Sequence, residues 1–224
     1  MENLRALAEA IGADYKALKL ELGNYLLKSD SKIKTGVGRP DKPETTNGVI
    51  TGTEVDGSIY ESTDGAGVGA WEWVKRAGKW TVKTADSGWR KITTPGLTEG
   101  YLTFRRINNQ CMVNATGGRW GTVTLLRPEN NTDVKRFSNG SLRLLKVGEV
   151  PAGFRSSVSL FLPIAHDGKV LDGTLYLAGT GDSNWLGIHN YKDTMQSAGA
   201  VMRLPMLTYI SDEPWPEVLP GTKM

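Results

Sequence analysis

A chain of 224 residues is long enough for one ordinary domain with appendages, or for two small ones. Net charge is only +3 and the lysines and arginines are dispersed, so there is no basic stripe for nucleic acid and no basic amphipathic helix for a membrane surface. No apolar run approaches the roughly 20 residues of a membrane-spanning helix, so neither nucleic acid nor membrane insertion is expected.

The first element is a helix. Apolar residues fall at Leu4, Leu7, Ile11, Tyr15, Leu18, Leu22 and Tyr25, a heptad-type seam with a four-residue stutter after Ile11. Charged residues fill the positions between them. So narrow a stripe needs a partner, and nothing downstream reads as a second helix. Another copy of the same helix is the economical partner, which predicts a coiled coil over residues 1–28 and a homo-oligomer; the seam leaves the number of strands open. The alternative is a helix packed on its own domain. The segment lacks the apolar core of a secretory signal, so folding in a cytosol is expected.

Residues 29–48 hold three glycines and two prolines among small polar residues and read as a linker or neck. Residues 49–94 read as a small β unit. Val49–Thr51 and Ser58–Tyr60 suit strands, and a hairpin is expected from Trp71-Glu72-Trp73-Val74 through Ala77-Gly78 to Trp80 and Val82. Trp71, Trp73, Trp80 and Trp89 invite a sugar-stacking role. The core of a unit too small to be filled otherwise is the favoured reading of them.

Residues 95–212 carry about nine short strand patterns separated by turns, including Tyr101–Ile107, Cys111–Ala115, Ser141–Val147, Pro151–Arg155, Ser157–Ile164, Thr174–Ala178, Trp185–Ile188 and Met206–Ile210. That spacing predicts a β-sandwich or jelly-roll-like head. Residues 213–224, with Pro214, Pro216 and Pro220, read as an extended tail. The fold class expected is therefore mainly β, behind an N-terminal α-helix.

Catalytic patterns are absent. His166, His189 and Cys111 lack metal-ligand spacing, and Cys111 is most simply a small buried hydrophobe. Gly65–Gly69 is glycine-rich but lacks the strand-to-helix context of a phosphate site. A carboxylate pair among Asp167, Asp172 and Asp182 is the strongest case for glycan cleavage, yet Asp167 and Asp172 each precede a glycine and suit turns. No enzyme, cofactor or metal is expected.

Several stretches resemble the receptor-binding proteins and tail-fibre tips of tailed bacteriophages, especially those of Gram-positive hosts. They are Gly36-Val37-Gly38-Arg39-Pro40, Gly57-Ser58-Ile59-Tyr60, Trp71-Glu72-Trp73 with Gly78-Lys79-Trp80, Asp86-Ser87-Gly88-Trp89-Arg90-Lys91-Ile92, Val150-Pro151-Ala152-Gly153-Phe154-Arg155 and Gly173-Thr174-Leu175-Tyr176-Leu177. The likeness spans about residues 36–190; Ser156 stands where such tips carry proline. It implies a homotrimer with helix, neck and β-sandwich head in line, and a head that binds a cell-wall saccharide. It also implies a virion protein made in the host cytoplasm and joined to other tail or baseplate proteins, for which the N-terminal region is the expected attachment. Three weak sites per trimer would gain by avidity.

For such a head the candidate sugar-binding residues are Asp182, Asn184, Trp185, His189 and Tyr191, with Trp120 as a second candidate. They combine a few hydrogen-bonding groups with flat aromatic faces. Trp185 as core and Asn184 as a turn residue is the plain alternative, as is Trp120 at a trimer interface. Two other functions stand beside the adhesin: a structural baseplate or fibre connector, and a fibre-borne glycan depolymerase.

Overall fold

The computed structural model describes residues 14–21, 33–94, 100–116, 141–166, 169–189 and 204–224. The protein is mainly β. Residues 14–21 are helical and all of them are exposed, Tyr15 and Leu18 of the expected seam at 67% and 63%. Leu4, Leu7, Ile11, Leu22 and Tyr25 lie outside the described residues. The remainder divides into two compact units. One runs to Gly67 and resumes over residues 71–83; the other holds residues 68–70 and everything from Thr84 onward.

The first unit is built on a sheet of β1 (Ile33–Gly36), β2 (Ile59–Ser62), β3 (Ala70–Arg76) and β4 (Lys79–Ala85), in that order. The ends of β3 and β4 belong to the second unit. The hairpin turn places Ala77 and Gly78 both at positive φ, which matches the twist of a two-residue connection. Trp73 pairs with Tyr60 across β2 and β3, and both are fully buried. Trp80 meets Tyr60 edge-on at 6.4 Å. In this hairpin Trp73 is therefore core, while Trp71 stands exposed.

The neck is not a free spacer over the residues described. β1 pairs in parallel with β2 from Ile33–Ile59 to Gly36–Ser62. Arg39 then lies over the Trp73 ring at 5.2 Å while binding Asp41 through Nε and Nη2, at 3.0 and 2.8 Å. A flat, weakly hydrated guanidinium can cover an indole and still hold a carboxylate, so this polar segment serves as a lid on the small core. Tyr60 donates its hydroxyl hydrogen to the Val37 carbonyl below that lid. Val49–Thr51, expected as a strand, forms no strand, although Ile50 is buried.

Glu54 ties this unit together. Its carboxylate accepts from Lys34 Nζ at 2.7 Å and from the Thr51 and Gly52 amides at 2.9 and 3.0 Å. Burial alone would favour the neutral acid, but these hydrogen bonds win and hold the carboxyl at about 2, against an ordinary 4.5. A carboxyl held low in the folded state adds stability that is complete above its unfolded value and is lost as pH falls through the folded value. Acid unfolding followed by tryptophan fluorescence should therefore cost the wild type stability between about pH 4.5 and 2, and Glu54→Gln should lessen that dependence, the remainder coming from Asp64 and Asp86, whose carboxyls are also held low.

The second unit contains β5 (Arg90–Ile92), β6 (Tyr101–Ile107), β7 (Gln110–Thr116), β8 (Ser141–Leu145), β9 (Leu160–His166), β10 (Lys169–Leu177), β11 (Leu186–His189), β12 (Leu207–Ile210) and β13 (Thr222–Lys223). One sheet has the order β12-β7-β6-β5-β13 and the other β8-β11-β10-β9. Leu102, Phe104, Cys111, Val113, Leu207 and Tyr209 of the first sheet share one core with Leu145, Ile164, Leu175, Leu177, Leu186 and Ile188 of the second. This is a two-sheet, sandwich-like arrangement. Cys111 is fully buried, and burial pushes its thiol up to about 12. In the folded protein it should resist thiol reagents at pH 8 and react once urea unfolds the chain.

Three segments differ from expectation. Residues 84–94 belong to the head and not to the small unit. Asp86 holds Arg105 in a two-point ion pair at 3.0 and 2.5 Å, and the Ser87 amide donates to the Arg106 carbonyl at 2.9 Å. Pro151–Arg155, expected as a strand, is a turn. Gly153 sits there at φ +82°, with Pro216 so close that a Cβ would lie 2.7 Å from its Cδ. The tail is irregular but docked: Trp215 is buried with its Nε1 donating to the Val68 carbonyl at 3.0 Å, and β13 pairs with β5.

Candidate functional site

The outer face of the β8-β11-β10-β9 sheet carries the most site-like arrangement among the described residues. It follows from simple alternation. In Leu160-Phe161-Leu162 and Leu175-Tyr176-Leu177 the leucines turn to the core, so Phe161 and Tyr176 emerge on the other side. Strand register then sets them in one row: Phe161 opposite Tyr176, Tyr176 opposite Gly187, and Gly187 opposite Arg143. A bulge in β8 between its pairings to Leu186 and Gly187 brings Arg143 into that row.

The rings form a chain of contacts. Phe161 and Tyr176 are 4.6 Å apart, centre to centre, and Tyr176 and Trp185 are 4.8 Å apart. The Arg143 guanidinium lies 4.8 Å from the Trp185 ring. Gly187 adds no side chain to the row, and the indole from two residues earlier touches both of the row's flanking members. Exposure divides their roles. Trp185 and Tyr176 are only 7% and 9% exposed, whereas Phe161 is 58% exposed. A ligand stacking on this face meets the Phe161 ring, with Tyr176 and Trp185 behind it.

A polar group adjoins the stack. The Tyr176 hydroxyl donates to Asp182 Oδ2 at 2.8 Å and lies 3.0 Å from Ser159 Oγ. Ser159 donates to the same carboxylate oxygen and accepts from the Gly179 amide at 3.2 Å. These hydrogen bonds from Ser159 and Tyr176 hold the Asp182 carboxyl below its ordinary range, so it is ionised at neutral pH. Burial and the adjacent carboxylate push the Tyr176 hydroxyl up.

The loop that supplies Asp182 is shaped by two successive residues in the left-handed region, Ser183 at φ +74° and Asn184 at φ +51°. They reverse the chain, so the carboxylate before them and the indole after them both reach Tyr176. The backbone is pinned by Asp182 N–H and Asn184 N–H donating to the Gly179 carbonyl, and by Gly148 N–H donating to Ser183. Asn184 Oδ1 is buried without a hydrogen-bond partner among the described residues. Such an acceptor costs about 1–3 kcal/mol. Strained backbone and an unmet acceptor on one short loop are features more often kept for binding than for stability.

Of the sequence candidates, Asp182 and Trp185 are thus joined through Tyr176, and Asn184 lies between them. Trp185 is a backing residue and not an exposed platform. His189 belongs to β11, its backbone opposite Thr174 and Ser141; its side chain lies outside the described residues, as do Trp120 and Tyr191. Asp167 and the side chain of Asp172 are also outside them, though the backbone of Asp172 falls within β10 and not in a turn. Phe161, Tyr176, Ser159 and Arg143 were not among the candidates. For Phe161, Tyr176 and Arg143 the signal was the alternation in LFL, LYL and LRL, where one aromatic or charged residue interrupts leucines; Ser159 lies outside these triplets.

Among the described residues, no group of three or more histidine, cysteine, aspartate or glutamate side chains could hold a metal ion. No protein-family model matches the chain, and neither the curated proteins nor the solved structures searched contain a match to it.

Proposed function

We propose that this protein is an adhesin of a bacteriophage tail that attaches the virion to a saccharide on the host surface, without catalysis. The observation that carries the reading is the Phe161–Tyr176–Trp185 stack with the Asp182–Ser159 hydrogen-bonding group at its edge. An exposed ring covers the C–H face of a sugar, and adjacent fixed acceptors orient its hydroxyls. The sandwich-like head and the phage-tip motifs of the sequence agree with this. The exposed Tyr15 and Leu18 suit a helix that pairs with its own copies, so the functional form we propose is a parallel trimer. Light scattering should give about 73 kDa, three times the chain's 24.4 kDa.

The test is co-sedimentation of the full chain with purified cell walls from a panel of Gram-positive species. Saturable binding to some walls and not others is expected, with release by soluble polysaccharide from the same walls. A chain that stays in the supernatant with every wall overturns the adhesin and favours a connector that docks other virion proteins.

A further inference from the structure

Resting on the glycan-binding reading, we propose that the Phe161–Asp182 edge of this face selects saccharides that carry a free amine, binding the ammonium group between the exposed ring and the carboxylate. The two groups are within one tyrosine's reach of each other: Tyr176 stacks on Phe161 at 4.6 Å and donates its hydroxyl hydrogen to Asp182 at 2.8 Å. Both donors to Asp182, Tyr176 and Ser159, use the same oxygen, Oδ2. The other oxygen, Oδ1, has no partner among the described residues, and the residue is exposed.

The chemistry of such a pair is specific. A carboxylate fixed by two hydroxyls accepts strongly from N⁺–H donors, and an aromatic face attracts the same cation through its quadrupole. A neutral acetamido sugar can stack on Phe161 but brings no charge to Asp182. An acidic sugar is repelled by it. Arg143 carries the opposing charge on this face; its strand position lies two strand spacings, about 10 Å, from that of Tyr176, and its guanidinium lies over the Trp185 ring. Asp182, held by Ser159 and the Tyr176 hydroxyl, is the charge at the Phe161 end of the face. The row then has an anionic end beside the exposed ring and a cationic end beside the covered one.

Cell walls that bind the chain are treated with acetic anhydride, which turns each ammonium group into a neutral amide while leaving the sugar backbone in place. The full-length protein is titrated onto native and acetylated walls, alongside Asp182→Asn and Arg143→Gln. The variant Asp182→Asn keeps an acceptor for Ser159 and Tyr176, and its folding is checked by thermal unfolding. We expect acetylation to weaken wild-type binding about tenfold, Asp182→Asn to weaken binding to native walls by a similar factor, and acetylation to have no further effect on that variant. Arg143→Gln should retain the preference. Raising the salt concentration to 0.5 M should erase most of the difference between native and acetylated walls.

Equal binding to native and acetylated walls, or an Asp182→Asn variant as strong as wild type, overturns amine selection while leaving the glycan reading standing. Failure to bind any wall, native or acetylated, removes the glycan reading and amine selection with it.

Discussion

Replacing Arg106 with alanine should lower the stability of the head by about 3–5 kcal/mol and release the C-terminal tail. Arg106 is 5% exposed. Its guanidinium donates to four main-chain carbonyls: Asn108 at 2.7 Å, Gly153 at 2.5 Å, Glu213 at 2.8 Å and Pro214 at 3.1 Å. It also lies 5.2 Å from the Trp215 ring. One side chain on β6 thus joins a hairpin turn, the Pro151–Phe154 turn and the tail. Alanine removes the guanidinium donors from all four carbonyls. Lysine should recover only part of the loss, because a single ammonium cannot reach four carbonyls in a fixed plane. Urea unfolding measures the first effect. Limited proteolysis with a glutamate-specific protease measures the second, with cleavage expected after Glu217 in the variant and not in the wild type. Wild-type stability in Arg106→Ala would mean that the tail is held by Trp215 and β13 alone.

The second large effect is on binding. Phe161→Ala should weaken attachment to cell walls by about ten- to a hundredfold, the 1.4–2.8 kcal/mol typical of a stacked aromatic in a binding face. It should leave the unfolding temperature within a few degrees, since the ring is more exposed than covered. Trp185→Ala is the informative contrast. That indole is almost wholly covered by its neighbours, so its loss should cost about 3–5 kcal/mol of stability as well as binding. If Phe161→Ala unfolds the protein, the ring is structural; if it binds walls like the wild type, the outer face is not the attachment face.

Much of the head was readable because its strands alternate. Tyr101–Ile107 appears as a strand with the expected bounds, and Asn108, at φ +53°, makes the turn that follows it. The leucine-rich strands declared which residues face the core, and in principle also Phe161 and Tyr176 on the other side. What alternation could not supply is distance. That Trp185 turns under Arg143 and against Tyr176 depends on two left-handed residues and a bulge in β8, neither of which has a strong local signature. Pro151–Arg155 looked like a strand because its residues are individually compatible with one. It is a turn because Arg106 and Glu213, distant in sequence, hold Gly153 by its carbonyl and its amide. The neck looked like a spacer because its composition is polar. Its place over Trp73 depends on an Arg39–Asp41 pair that composition alone does not reveal. β5 and β13, of three and two residues, are too short to show any period.

The central claim is that a saccharide stacks on Phe161, and fluorine NMR of protein labelled with fluorophenylalanine tests it most directly. The chain has four phenylalanines. Phe104 and Phe154 are fully buried in the core of the head, Phe161 is exposed, and Phe137 lies outside the described residues. The Phe161 signal is assigned from its loss in Phe161→Leu. On titration with soluble wall polysaccharide from a species whose walls bind the chain, that signal should shift in a saturable way while those of Phe104 and Phe154 stay fixed. A polysaccharide that binds and leaves the Phe161 signal unmoved would place the attachment site elsewhere on the chain and contradict the account.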